Sequence, residues 1–137
     1  MCGIIGIHNN SEAATLAYMG LYAQQHRGQE GAGIISSDGK NLHTHMGQGL
    51  VSDVFSNSDI FESLPGKSAI GHVRYSTTGD SNPRNVGPLT FNLDDSLVSI
   101  AHNGNLVNID ETRKELQQSG AIFQTSTDTE IIIHLLA

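Results

Sequence analysis

The first residues constrain the fold more than any other stretch, because the only cysteine, Cys2, directly follows the initiator methionine. Residues 3–7 are isoleucines and glycines, which predict a strand that begins almost at the N-terminus. If Met1 is removed, Cys2 carries a thiol and a free α-amine. The usual pKa of an α-amine is about 7.7–8.0 and that of a cysteine thiol is about 8.5. The amine can therefore take the proton of a neighbouring thiol. The stretch therefore predicts an N-terminal nucleophile; the alternative is a small buried cysteine in an ordinary core strand.

Composition and charge narrow the class of protein. The 137 residues are the size of one domain. With 7 Lys and Arg against 14 Asp and Glu the formal net charge is −7, and no basic cluster occurs, so neither nucleic acid nor an anionic membrane is expected as a partner. No apolar run approaches the ~20 residues of a membrane-spanning helix, which predicts a cytoplasmic protein. The single cysteine is expected to act as a free thiol.

Hydrophobic periodicity predicts mixed helices and strands along the whole chain. In the N-terminal half the predicted elements are a helix of mostly small inward residues from Ala13 to Gln25, a structured glycine-rich loop over residues 27–33, a hairpin around Asp38-Gly39, and two short helices near residues 50–55 and 60–64.

The C-terminal half shows clearer alternation. Its predicted elements are a strand over residues 68–76, a polar loop over 77–88, a hairpin of 89–93 and 97–101, a helix over 109–119, a short strand over 121–123, and a final helix after Thr127. Asn108 with Glu111, and Thr127 with Glu130, resemble capping boxes. Gly120 fits a helix C-terminus. The final helix is apolar nearly all round, which predicts that it is buried.

Three polar clusters lie at the ends of predicted elements: residues 72–77, 102–105 and 127–130. Taken singly, each is better explained by a structural role: Arg74 by a surface ion pair, Asn103-Gly104 by a turn, and Asp128 by helix capping. Taken together, they suit a cysteine that attacks the side-chain amide of glutamine. Arg74 would hold the α-carboxylate and Asp128 the α-ammonium, while the Asn103 side chain and the Gly104 N–H would stabilise an oxyanion.

The seven histidines raise the question of a metal site. His43 and His45 share one strand face, but no third ligand of suitable spacing follows, so we expect no metal here. The α-amine already supplies a base. The sequence therefore predicts hydrogen-bonded structural roles for the four histidines His26, His72, His102 and His134.

Five ordered motifs resemble the class II glutamine amidotransferase domain, whose members are N-terminal nucleophile hydrolases. They are Cys2-Gly3-Ile4-Ile5-Gly6, residues 25–34, residues 71–77, His102-Asn103-Gly104-Asn105 and residues 126–130. The resemblance covers the whole chain and implies an α+β fold, a four-layer αββα sandwich of two antiparallel sheets. It also implies hydrolysis of glutamine through a cysteinyl thioester, with ammonia passing to an acceptor site in another domain.

The resemblance also implies roles for individual residues. Carried over by position, Cys2 is the nucleophile, Asn103 and Gly104 form the oxyanion hole, and Arg74, Thr77 and Asp128 bind the backbone groups of the substrate. Arg27 and Gly28 lie in the loop that supports the N-terminal cysteine.

Residues 25–34 and Tyr75 resemble the branch that delivers ammonia to phosphoribosyl pyrophosphate, forming 5-phosphoribosylamine in purine synthesis. For the intact protein this implies a homo-oligomer, with magnesium in the acceptor domain and no cofactor in residues 1–137. Two alternatives stay open: the glutaminase domain of a hexosephosphate aminotransferase or asparagine synthetase, and a non-catalytic glutamine-binding module.

The resemblance and the last helix together predict that residues 1–137 are the N-terminal part of a class II glutaminase domain. The family's domain is longer, and an acceptor domain follows it. A helix apolar on all sides also needs covering by residues that this sequence does not supply. Alone, these residues are expected to be poorly stable and weakly active.

Overall fold

A computed structural model of the protein describes residues 1–75 and 82–137. The described strands are β1 (Gly3–Ile7), β2 (Gly31–Ser37), β3 (Leu42–Gln48), β4 (Ser68–Arg74), β5 (Leu89–Leu93) and β6 (Ser96–Ile100). The described α-helices are α1 (Ala13–Ala23), α2 (Val51–Val54), α3 (Asp59–Glu62), α4 (Ile109–Gln118) and α5 (Asp128–Leu136). Short 3-10 turns occupy Gln25–Arg27 and Pro83–Asn85.

The first sheet has the strand order β1-β4-β2-β3, with every neighbouring pair antiparallel. Gly3 pairs with Val73 and Gly31 pairs with Arg74, so the start of β1, the start of β2 and the end of β4 lie at one end of the sheet. The N-terminal residues are thereby brought beside a segment some seventy positions away in the chain.

One face of this sheet forms the core with α1. The helix is buried through Ala13, Ala17 and Leu21, and a Cβ added at Gly71 would lie 2.9 Å from Leu21 Cδ1. Small residues on both surfaces allow this close packing, as the sequence predicts, and burial of the apolar side chains stabilises it.

The second sheet is the β5–β6 hairpin, and α5 packs against β5. Helices α4 and α5 also contact each other. The predicted α+β class, with two antiparallel sheets and helices packed on them, is confirmed. No described helix is both long enough and apolar enough to span a bilayer.

Most predicted elements are confirmed, but three predictions about strand position and helix burial are wrong. Strand β2 begins at Gly31, inside the predicted glycine-rich loop, because residues 31–33 pair with β3 and β4. Residues 121–123 form no strand, and Ile122 is 82% exposed. The last helix is only partly buried: Ile131 and Ile133 face inward, whereas Leu135 and Leu136 are exposed.

Neither predicted capping box forms. Asn108 has a left-handed backbone (φ 63°), and its side chain makes no capping hydrogen bond to α4. The Glu130 carboxylate does not reach the N–H of Thr127; it accepts hydrogen bonds from the backbone N–H groups of Gln124 and Thr125, each at 2.7 Å. Gly120, with φ 104°, lies just beyond the end of α4 as predicted.

Candidate functional site

A cleft of about 460 Å³ opens where the end of the first sheet meets the loop after β6 and the start of α5. Four of the residues singled out in the sequence line it: Cys2, Arg74, Gly104 and Asp128. They come from four separate parts of the chain, so the fold brings residues that are distant in sequence to one cleft. Thr77, the predicted carboxylate contact, lies outside the described residues.

The Cys2 thiol is held by the backbone of the residue after β4. The Tyr75 N–H points to Cys2 Sγ at 3.5 Å, and the thiol faces the Tyr75 carbonyl at 3.7 Å. The backbone of Cys2 is held separately, since Arg27 Nε donates to its carbonyl oxygen at 3.0 Å. Met1 is 74% exposed. The N-terminus is therefore accessible while the sulfur lies at the cleft.

The loop that supports Cys2 requires glycine at position 28. A Cβ added there would lie 2.6 Å from both the carbonyl carbon and the oxygen of Arg74, and 2.9 Å from the carbonyl carbon of Val73. The obstacle is backbone, which cannot rotate away as a side chain can. Residues 27–28 thus join the N-terminal cysteine to the end of β4 by direct contact.

Arg74 is the last residue of β4, and its side chain is only 16% exposed. Its Nη1 donates to the carbonyl oxygen of Asn85 at 3.1 Å, and its Nε lies 3.9 Å from the Glu30 carboxylate. These contacts fix the guanidinium at the wall of the cleft. A guanidinium has five N–H donors, so others remain for an anionic group in the cleft.

Asp128 is the first residue of α5, and its side chain makes contacts outside that helix. Its Oδ2 accepts a hydrogen bond from the Leu106 N–H at 3.0 Å, and its Oδ1 lies 3.4 Å from Nδ1 of His102. The carboxylate therefore joins α5 to the loop after β6. It is 14% exposed and lines the cleft.

Of the predicted oxyanion pair, Gly104 lines the cleft, whereas Asn103 is exposed and does not. A Cβ at Gly104 would lie 2.8 Å from Nε2 of His102, so the imidazole occupies the space that a side chain would need. His102 thus contacts both the loop backbone and Asp128, consistent with the structural role predicted for it. The contribution of Asn103 stays a prediction.

His72 is 5% exposed on the cleft side of β4. Backbone groups of His102 and Gly87 interact with its ring, but neither ring nitrogen makes a hydrogen bond of standard geometry to a described residue, so the predicted hydrogen-bonded role is only partly met. Burial, with a smaller effect of the Arg74 charge, lowers the pKa of His72 to about 4. The ring is therefore neutral at physiological pH, which leaves Arg74 as the cation beside it. His134 also differs, since its buried Nε2 has no described partner and its ring packs against Phe123.

Asn85 also lines the cleft and is 4% exposed, although no sequence pattern indicated it. It lies within the stretch predicted only as a polar loop. Asn82-Pro83 before it is a turn signal, and this predicts the 3-10 turn but not the contacts of Asn85. Its side chain hydrogen-bonds to Ser126, close to Asp128.

The cleft therefore combines a thiol, a fixed cation, a fixed carboxylate and an exposed backbone loop. A guanidinium and a carboxylate on the walls of one cleft suit a small zwitterion such as a free amino acid. The thiol beside them suits attack on a carbonyl group of that molecule.

Comparison with known proteins agrees with this chemistry. Residues 56–137 match the glutamine amidotransferase domain family. The chain is 48% identical over 136 residues to amidophosphoribosyltransferase of Bacillus subtilis, covering 98% of this chain and 28% of that protein. It is 46% identical over 135 residues to amidophosphoribosyltransferase of Lacticaseibacillus casei, covering 98% of this chain and 70% of that protein.

A solved structure is also similar. It is described as the allosteric regulatory enzyme of purine biosynthesis, and it superposes with a TM-score of 0.92 at 47% identity. The match covers 99% of this chain and 29% of that one. The chain thus spans less than a third of the B. subtilis relative and of this structure.

Proposed function

The chain belongs to the glutamine amidotransferase family, and on that premise we propose that it hydrolyses glutamine with Cys2 as an N-terminal nucleophile. The observation that carries this proposal is the position of the Cys2 thiol in a cleft whose walls include Arg74 and Asp128. These two charges match the α-carboxylate and α-ammonium of an amino acid. The exposure of Met1 supports its removal before catalysis.

The reaction would begin when the α-amine of the trimmed Cys2 takes the thiol proton, directly or through water. The sulfur then attacks the side-chain amide carbon of glutamine, and a C–S bond forms. The Gly104 N–H and the Asn103 side chain would stabilise the resulting oxyanion, an effect worth roughly 3–4 kcal/mol per donor. The C–N bond breaks, ammonia leaves with the proton, and water hydrolyses the thioester to glutamate.

The neighbours of the thiol favour this sequence of events. The Tyr75 N–H at 3.5 Å is placed to donate to a thiolate. Arg27 holds the Cys2 carbonyl, so the nucleophile does not drift from the cleft when Met1 is removed. Neutral His72 adds no second cation that would compete with Arg74 for the carboxylate.

For the intact protein we propose that the ammonia passes to phosphoribosyl pyrophosphate and forms 5-phosphoribosylamine in purine synthesis. The names of the relatives support this acceptor over a hexose phosphate or an aspartyl adenylate. In the described residues, no three His, Cys, Asp or Glu side chains are grouped as metal ligands, so we propose magnesium only for an acceptor domain. A cytoplasmic location and a homo-oligomeric state are proposed from family resemblance alone.

The experiment that tests the function compares wild type with Cys2→Ala and Cys2→Ser in the full-length protein. Glutamine-dependent synthesis of 5-phosphoribosylamine is expected to be lost in both variants. Ammonia-dependent synthesis should continue, because Cys2 is needed only to release ammonia from glutamine. Undiminished use of glutamine by Cys2→Ala would contradict the proposal. Loss of both activities would contradict the separation of the two sites.

A further inference from the structure

Asn85 is a buried polar residue that no step of the proposed reaction uses. Its side chain engages a single partner through both ends of the carboxamide: Nδ2 donates to Ser126 Oγ at 2.8 Å, and Oδ1 accepts from the Ser126 N–H at 3.2 Å. Its backbone carbonyl accepts from Arg74 Nη1 at 3.1 Å. One residue thus contacts the proposed carboxylate-binding arginine and the segment that precedes the proposed ammonium-binding aspartate.

The backbone of Asn85 is itself fixed. It ends the Pro83–Asn85 turn, in which the Asn85 N–H donates to the Asn82 carbonyl at 2.9 Å. The Asn82 side chain accepts from the Arg84 N–H at 3.0 Å, and Pro83 restricts the first position of the turn. Because both ends of the carboxamide are engaged, its orientation is fixed as well.

On the other side, Ser126 is held in a fixed relation to Asp128. The Glu130 carboxylate of α5 accepts hydrogen bonds from the N–H groups of Gln124 and Thr125. Arg113 of α4 donates to the carbonyls of Thr125 and Thr127, each at 3.1 Å. Residues 124–127 are therefore tied to the start of α5, so a contact that places Ser126 also places Asp128.

We propose that Asn85 is a positioning residue that sets the separation between the Arg74 guanidinium and the Asp128 carboxylate. It would thereby adapt the cleft to a carboxylate and an ammonium on the same carbon, as in an α-amino acid. The inference deepens the proposed function and rests on it. Asn85 need not touch the substrate; it acts through the two residues that do.

The test measures KM and kcat for L-glutamine and for L-glutamine α-amide, which lacks the α-carboxylate, in the full-length protein. Loss of the buried hydrogen bonds in Asn85→Ala is expected to raise KM for glutamine about tenfold, with kcat changed much less. KM for the α-amide is expected to change less than about threefold, because that substrate cannot use both charges at once. The variant therefore discriminates less between the two substrates.

Two further variants strengthen the test. Ser126→Ala removes the acceptor for Asn85 Nδ2 but keeps the Ser126 N–H, and it is expected to shift KM in the same direction by a smaller factor. It also serves if Asn85→Ala does not fold. Asn92→Ala removes an exposed asparagine from β5 and is expected to behave as wild type.

The outcomes separate the two proposals. A wild type that hydrolyses glutamine, with unchanged KM in Asn85→Ala and Ser126→Ala, would overturn the role of Asn85 and leave the proposed function intact. An equal rise of KM for both substrates would also overturn it, since that result indicates a merely structural residue. A wild type unable to hydrolyse glutamine would overturn both.

Discussion

At Gly28 the structure leaves no room for a side chain, and Gly28→Ala tests the link between the N-terminal loop and β4. The new Cβ would lie 2.6 Å from the backbone of Arg74, far inside van der Waals contact. Overpacking usually costs about 1–3 kcal/mol. Because backbone cannot rotate away, we expect about 3 kcal/mol here, or a fall in melting temperature of about 6–12 °C.

The same substitution should also lower the reactivity of Cys2. Glu30 N–H donates to the Arg74 carbonyl at 3.2 Å, and Arg27 holds Cys2, so a displaced loop moves both the nucleophile and the arginine. We therefore expect slower labelling of Cys2 by a glutamine-analogue electrophile, followed by mass spectrometry. Thermal melting of the same sample supplies the stability change.

Gly6→Ala is the matched control, since a Cβ at Gly6 in β1 would meet nothing within 4 Å. We expect its free energy of unfolding to stay within about 0.5 kcal/mol of wild type, with normal labelling. If Gly28→Ala has the same melting temperature as Gly6→Ala and its Cys2 is labelled at the wild-type rate, the close approach of the loop to β4 is wrong.

Two further predictions concern the cleft. Arg74→Lys loses the planar fork and should raise KM for glutamine by about one to two orders of magnitude, whereas Asn103→Ala should lower mainly kcat; steady-state kinetics showing the reverse would mean that the roles are exchanged. The pKa of His72 is lowered from 6.5 to about 4 in the folded protein, so the unfolded state binds more protons between these values and stability is lost as pH falls through that window. His72→Gln should remove up to about 3 kcal/mol of this loss, measured by denaturation at pH 7 and pH 4.5, and equal losses in variant and wild type would contradict it.

Local sequence pattern predicted the parts of the fold that depend on local periodicity. The alternation of residues 68–76 predicted a strand, and β4 forms over Ser68–Arg74, with Val73 in the core beside α1 and His72 at the cleft. Asp38-Gly39 predicted the β2–β3 hairpin because tight hairpin turns favour residues of this kind.

The local predictions are wrong where a tertiary contact overrides the local sequence pattern. Glu130 has the spacing of a capping-box residue, but its carboxylate binds the backbone of residues 124–125, which must be satisfied inside the protein. Residues 121–123 have strand propensity, but no described strand pairs with them.

The sequence predicts which residue types form the site, but it does not predict the residues that position them. Cys2, Arg74 and Asp128 were identified from their chemistry, and the structure brings all three to one cleft. Asn85 was not, because its importance depends on a contact with Ser126 across 41 positions, which no local pattern encodes. The placement of β1 next to β4 has the same origin, since strand order follows from long-range pairing.

Intact-mass spectrometry of the full-length protein, with and without a glutamine-analogue electrophile, tests the central claim most directly. We predict a mass lower by one methionine residue than the encoded chain, one adduct on the wild type, its location at Cys2, and no adduct on Cys2→Ala. Added L-glutamine should protect the thiol and slow its labelling. An active enzyme that retains Met1, or that carries its adduct on another residue, would contradict the assignment of Cys2 as an N-terminal nucleophile.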